Sequence, residues 1–162
     1  MPEDVRLIVC ALVATRAFGI AMLLSLVVTA CAAPTAAPTP KPLAVITITA
    51  PKAGATVPVG DVTVTFEVTD VTLVPASSAQ KPEDYHVHVT LDVDPSTWVG
   101  TGVAVPAASA NPNPARIIHT AAKTVTFTNV TAGEHTATVW LSLASHVSVT
   151  PSVSATLKFV VK

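Results

Sequence analysis

From Leu43 onward, apolar and polar residues alternate with a period of two. In Asp61–Thr69, Val62, Val64, Phe66 and Val68 share one face, while Thr63, Thr65 and Glu67 share the other. Successive side chains of an extended backbone point to opposite faces, so such a run predicts a half-buried strand. The same alternation groups Tyr85, Val87, Val89, Leu91 and Val93. It recurs through Val125 and Phe127, then Ala137, Val139, Leu141 and Leu143, and finally Val153, Ala155, Leu157, Phe159 and Val161. Turn signals separate the runs: Pro51 to Gly54, Val59-Gly60-Asp61, Asp94-Pro95, Asn111 to Pro114 and Ala132-Gly133. Val105 to Ala115, rich in Pro, Ala, Ser and Asn, predicts a long loop. Thr and Val favour strands, and no helical stripe follows Cys31. The expectation is an all-β fold, a single antiparallel β-sandwich over residues 43–162.

The first 42 residues follow a different pattern. Arg16 precedes an apolar run of about thirteen residues, Ala17 to Thr29, a length typical of a secretory leader and short for a membrane span. Reading Leu7 to Thr29 as a transmembrane anchor would bury Arg16 midway, which is costly. The run ends in Val28-Thr29-Ala30-Cys31. These four residues resemble the lipobox of bacterial lipoproteins, in which an aliphatic and two small residues precede a cysteine. The resemblance implies cleavage after Ala30, a lipidated Cys31 and attachment to a membrane. The predicted organisation is a signal peptide over 1–30, a lipidated Cys31 with a Pro/Ala/Thr-rich linker over 31–42, and the β-domain over 43–162. Prolines 34, 38, 40 and 42 favour an extended spacer that holds the domain away from the bilayer. Ala32, where an aspartate retains some lipoproteins in an inner membrane, favours the outer one if there are two.

Composition narrows the function. Removing the leader leaves seven basic and eight acidic residues and no basic stripe, which argues against nucleic acid. Cys10 leaves with the leader, so Cys31 stands alone and no disulfide braces the domain. No Gly-x-Ser-x-Gly elbow, His-Glu-x-x-His helix or phosphate-cradling glycine loop occurs, so nothing points to an enzyme.

Two short segments carry a fold-level likeness. Ile48 to Gly54 with Val59 to Val64, and the turn-Gly-strand segment Asn129 to Val139, resemble the Ig-like modules of bacterial envelope proteins. That resemblance implies an Ig-like sandwich and no particular activity.

The five histidines, His86, His88, His119, His135 and His146, are the candidates for chemistry. In Asp84-Tyr85-His86-Val87-His88 the two imidazoles fall on one face, roughly 6–7 Å apart along a strand, and can converge on one metal ion. Asp84 shares that face as a possible oxygen ligand; Asp92 shares it too but lies far along the strand. His146, after the late strand, reaches the pair if that strand lies beside the one carrying His86, and His119 can come from a neighbouring strand or loop. Imidazole ligation without thiolate suits Cu(II) or Zn(II). The inert alternative is a set of surface histidines among threonines. His135, in phase with Ala137 and Val139, is expected to pack at the sandwich edge with its nitrogens hydrogen-bonded. Trp140 is out of phase with Val139 and Leu141 and points outward. There it either offers a contact for a sugar or protein partner or is covered by the loop holding Trp98. The leading expectation is a lipid-anchored, non-catalytic envelope binding module contacting an envelope protein or glycan. The alternative is a periplasmic or surface metal-binding protein using His86, His88, His146 and His119.

Overall fold

A computed structural model describes residues 43–107 and 116–162. The signal peptide, Cys31 and the proline-rich linker lie outside the described residues, as do positions 108–115 of the expected long loop. The described chain is all β. Its strands are β1 (Val45–Ala50), β2 (Thr56–Val57), β3 (Gly60–Thr69), β4 (Tyr85–Leu91), β5 (Ile117–Thr120), β6 (Thr124–Val130), β7 (Gly133–Leu143) and β8 (Ser154–Val161). They form a three-stranded sheet in the order β1-β3-β6 and a five-stranded sheet in the order β2-β8-β7-β4-β5. Neighbours pair antiparallel except β2, which runs parallel to β8. This is the Greek-key order of an Ig-like sandwich.

The inner faces fill as the alternation requires. Val62, Val64, Phe66 and Val68 of β3 meet Val87, Val89 and Leu91 of β4, Val125 and Phe127 of β6, Ala137, Val139 and Leu141 of β7, and Phe159 and Val161 of β8. Among the described residues, this core lies between Ala44 and Val161. Fully burying one such side chain is worth about 1.5–3 kcal/mol.

The outer face of the five-stranded sheet departs from the half-buried expectation. β4 is buried on both faces from His86 to Leu91. Two segments roof it, one around Trp98 to Val105 and one following β7. The Gly100 amide donates to Ser148 Oγ at 2.9 Å, Ser148 Oγ donates to the Trp98 carbonyl at 3.2 Å, and the Val105 amide donates to the His146 carbonyl at 3.0 Å. Val105, Ile117 and Trp140 form a small second core there, with Val93, Trp98 and Val99 against it. Val93 therefore belongs to this outer cluster and not to the inner row with Leu91. The cause is local: Asp92 takes a left-handed backbone, with φ of 60°, and ends the alternation of β4.

Candidate metal centre

The antiparallel register sets the outer face in rows. His88 pairs with Trp140 of β7 on one side and with His119 of β5 on the other; His86 pairs with Ser142. Because β4 places His86 and His88 two residues apart, both rings stand on the same outer face. His119 arrives beside them as the cross-strand partner of His88.

His146 comes from the turn that closes β7. Its amide donates to the Leu143 carbonyl at 2.8 Å, and its backbone is left-handed, with φ of 64°. A non-glycine residue there costs roughly 1–2 kcal/mol. That conformation swings the ring back over β4 toward the other three.

The four rings are brought together tightly. Ligand atoms of His86, His88, His119 and His146 all lie within 4.8 Å of one another. His119 Nδ1 is 2.9 Å from His146 Nδ1, and His146 Nδ1 is 3.4 Å from His88 Nε2. Two nitrogens each about 2.0–2.1 Å from one ion stand about 2.9 Å apart at a right angle and about 3.4 Å apart at a tetrahedral angle. The spacing thus fits a shared ion.

The hydrogen bonding agrees. His88 Nδ1 lies 2.8 Å from Ser142 Oγ, a bond that orients the ring so that Nε2 faces the cluster. His86 is 1% exposed, and both its ring nitrogens lack a hydrogen-bond partner; His119 Nε2 lacks one as well. Leaving a buried polar group unsatisfied costs about 1–3 kcal/mol, a cost that coordination would offset.

The electrostatics keep the rings neutral. Burial pushes His88 down to about 2, reinforced by repulsion from His119, His86 and His146. Burial lowers His86 to about 4, with further repulsion from His146 and His119. His119 is lowered by burial and by His146, and His146 by burial. Neutral imidazoles are the ligating form.

Other candidates fall away. Asp84 precedes β4, and its carboxylate accepts from the Gln80 amide at 2.7 Å and the Lys81 amide at 3.0 Å, so it caps a turn and is no ligand. Asp92 sits at the far end of β4, where it holds His135 Nδ1 at 2.7 Å and accepts from the Thr136 amide at 2.9 Å. His135 Nε2 meets the Thr131 carbonyl at 2.9 Å, which is the hydrogen-bonded edge position expected of it. Trp140 offers no surface to a partner. It is fully buried, stacked on His88 at 5.1 Å on one side and on Trp98 at 6.3 Å. The segment holding Trp98 covers it, so of the two alternatives for Trp140 the covered one holds and the exposed partner contact does not.

Ser142 is the residue the sequence did not single out. Its only signal is phase: it shares the outward parity of Trp140 and stands opposite His86.

No family model and no curated protein matches the chain. Among solved structures, the chain is similar to an engineered protein seen in a crystal structure, at 15% identity and a TM-score of 0.42 over 74% of this chain. The chain spans 20% of that protein's length.

Proposed function

We propose that the domain binds a divalent transition-metal ion, Cu(II) or Zn(II), through His86, His88, His119 and His146. The observation that carries this reading is four neutral imidazoles from three separate segments, converged within 4.8 Å, two of them buried. Chance surface histidines have no reason to share one buried point, and burying their nitrogens unpartnered is costly. Four protein ligands complete the shell of a tetrahedral site and fill all four equatorial positions of a square one, leaving no strongly bound position for a reacting water. The role this supports is holding or delivering a metal, without catalysis. The lipobox at Val28 to Cys31 supports the same role at a cell envelope, with the domain carried on its proline-rich spacer from a membrane-anchored Cys31.

The test is calorimetric titration of the untagged domain, Leu43 to Lys162, with Cu(II) and with Zn(II). The comparison proteins are His86→Ala/His88→Ala and His146→Ala. The last variant alters only a turn residue and leaves the two-sheet core intact. Binding of one equivalent at micromolar affinity or tighter, lost in both variants, is the expected result. Absence of binding by the parent domain would defeat the proposal.

A further inference from the structure

The arrangement of the four rings goes further than their proximity. Four pairs of ring centres form the sides of a quadrilateral: His86–His88 at 4.7 Å, His88–His119 at 4.3 Å, His119–His146 at 4.8 Å and His146–His86 at 4.8 Å. The remaining two pairs are its diagonals: His86–His119 at 6.2 Å and His88–His146 at 5.6 Å.

These six lengths discriminate between coordination geometries. A ring centre lies about 3.1 Å from an ion bound at about 2.0 Å. Around a regular tetrahedron all six separations would then be about 5.1 Å. Around a square, four would be about 4.4 Å and two about 6.2 Å. The observed sides are all shorter than the tetrahedral value and both diagonals longer. The set is a flattened quadrilateral: the His86–His119 diagonal is at the square limit, whereas the His88–His146 diagonal is part-way to it by ring centres and keeps the tetrahedral spacing of 3.4 Å between its nitrogens.

We infer that the site is built for copper in the cupric state, in a tetragonally flattened shell of four imidazole nitrogens. This inference rests on the metal-binding reading above and narrows it to one ion. Zn(II) has no preference for a square field, whereas Cu(II) takes tetragonal nitrogen sites. The ligand set agrees. Both methionines and both cysteines of the chain, Met1, Met22, Cys10 and Cys31, precede the domain, so the soft sulfur donors that select Cu(I) are missing from it. Cu(II) also stands above Ni(II), the other square-field ion, in affinity for a given nitrogen site.

The geometry is held from outside the ligand shell. His86 and His88 are fixed by the rise of one strand, His119 by its pairing with His88, and the His88 ring by Ser142. Only His146, on its turn, can adjust when an ion enters, and it lies on the shorter diagonal.

The experiment is electron paramagnetic resonance of the untagged domain with one equivalent of Cu(II), beside titrations with Zn(II) and Co(II). The expected result is an axial spectrum with a wide parallel copper splitting and four-nitrogen superhyperfine structure, falling to fewer nitrogens in His146→Ala. Cu(II) should bind at least about a hundredfold more tightly than Zn(II), and Co(II) should show only weak visible bands. A narrow parallel splitting, or intense tetrahedral Co(II) bands, would overturn the tetragonal inference while metal binding itself stood. Failure of all three ions to bind would remove the metal-binding reading and this inference together.

Discussion

The five-stranded sheet holds two histidine environments near opposite ends of β4, one on its outer face and one, at His135, in phase with the inner row beside Phe159, and they are opposites in chemistry. At one end His135 has a partner for each nitrogen, the Asp92 carboxylate and the Thr131 carbonyl. At the other, His86 has none, although it is the more deeply buried of the two. A histidine whose nitrogens both face oxygen acceptors is finished by the protein and serves the fold. A buried histidine with free nitrogens, surrounded by three more imidazoles, is left with lone pairs that the proposed metal would take up. Hydrogen-bond satisfaction, more than burial or spacing, separates the structural histidine from the ligand.

That contrast can be broken most directly by deletion. His86→Ala/His88→Ala should weaken metal binding by at least about a hundredfold, two ligands being lost at once, as read by calorimetry. If affinity survives, the two ends of β4 do not differ as argued.

A second large effect concerns acid. His86 and His88 are depressed to about 4 and about 2 in the fold, whereas in the unfolded chain they titrate near 6.5. Between those values the unfolded state binds more protons, so the metal-free domain keeps its full stability above about pH 6.5 and loses it as the pH falls below that. Its melting temperature should drop by about 5–10 °C from pH 7 to pH 5. The drop should shrink in His86→Gln/His88→Gln. A flat profile in the parent domain would contradict the neutral, buried state of these rings.

Ser142→Ala should leave the fold in place and cost about tenfold in metal affinity, because His88 loses the bond that orients its ring. The smallest effect on binding belongs to His135→Ala. It should change affinity less than about twofold while costing roughly 1–3 kcal/mol in urea denaturation, since Asp92 loses its partner. A large loss of affinity there would erase the distinction between the two ends.

The architecture was legible because the sandwich is written in period two. Val62 to Val68 and Ala137 to Leu143 read directly as inner rows, and the turns at Pro51 to Gly54 and Ala132-Gly133 separate strands where expected. The pair His86 and His88 was legible for the same reason, and His135 could be set aside by its phase with Ala137. What the sequence could not carry was everything that depends on register or on a roof. Ser142 matters only because β7 pairs with β4 so that it stands opposite His86. His119 joins the site only because it pairs with His88. Trp140 reads as an outward residue and is one, but the outward face is covered. The sequence offers cover by the loop holding Trp98 as one of two alternatives, and no local pattern decides between them. Asp84, grouped with His86 by parity, leaves the strand one residue too early to count as part of it.

The stacking of Trp140 between His88 and Trp98 has an optical consequence. The chain contains two tryptophans, Trp140 against His88 and Trp98 against Trp140, so the tryptophan fluorescence of the whole protein originates beside the imidazole cluster. A paramagnetic cupric ion seated there should extinguish most of that emission, while Zn(II), with its filled d shell, should leave it nearly unchanged. The domain thereby carries its own reporter of occupancy, readable in dilute solution without a label.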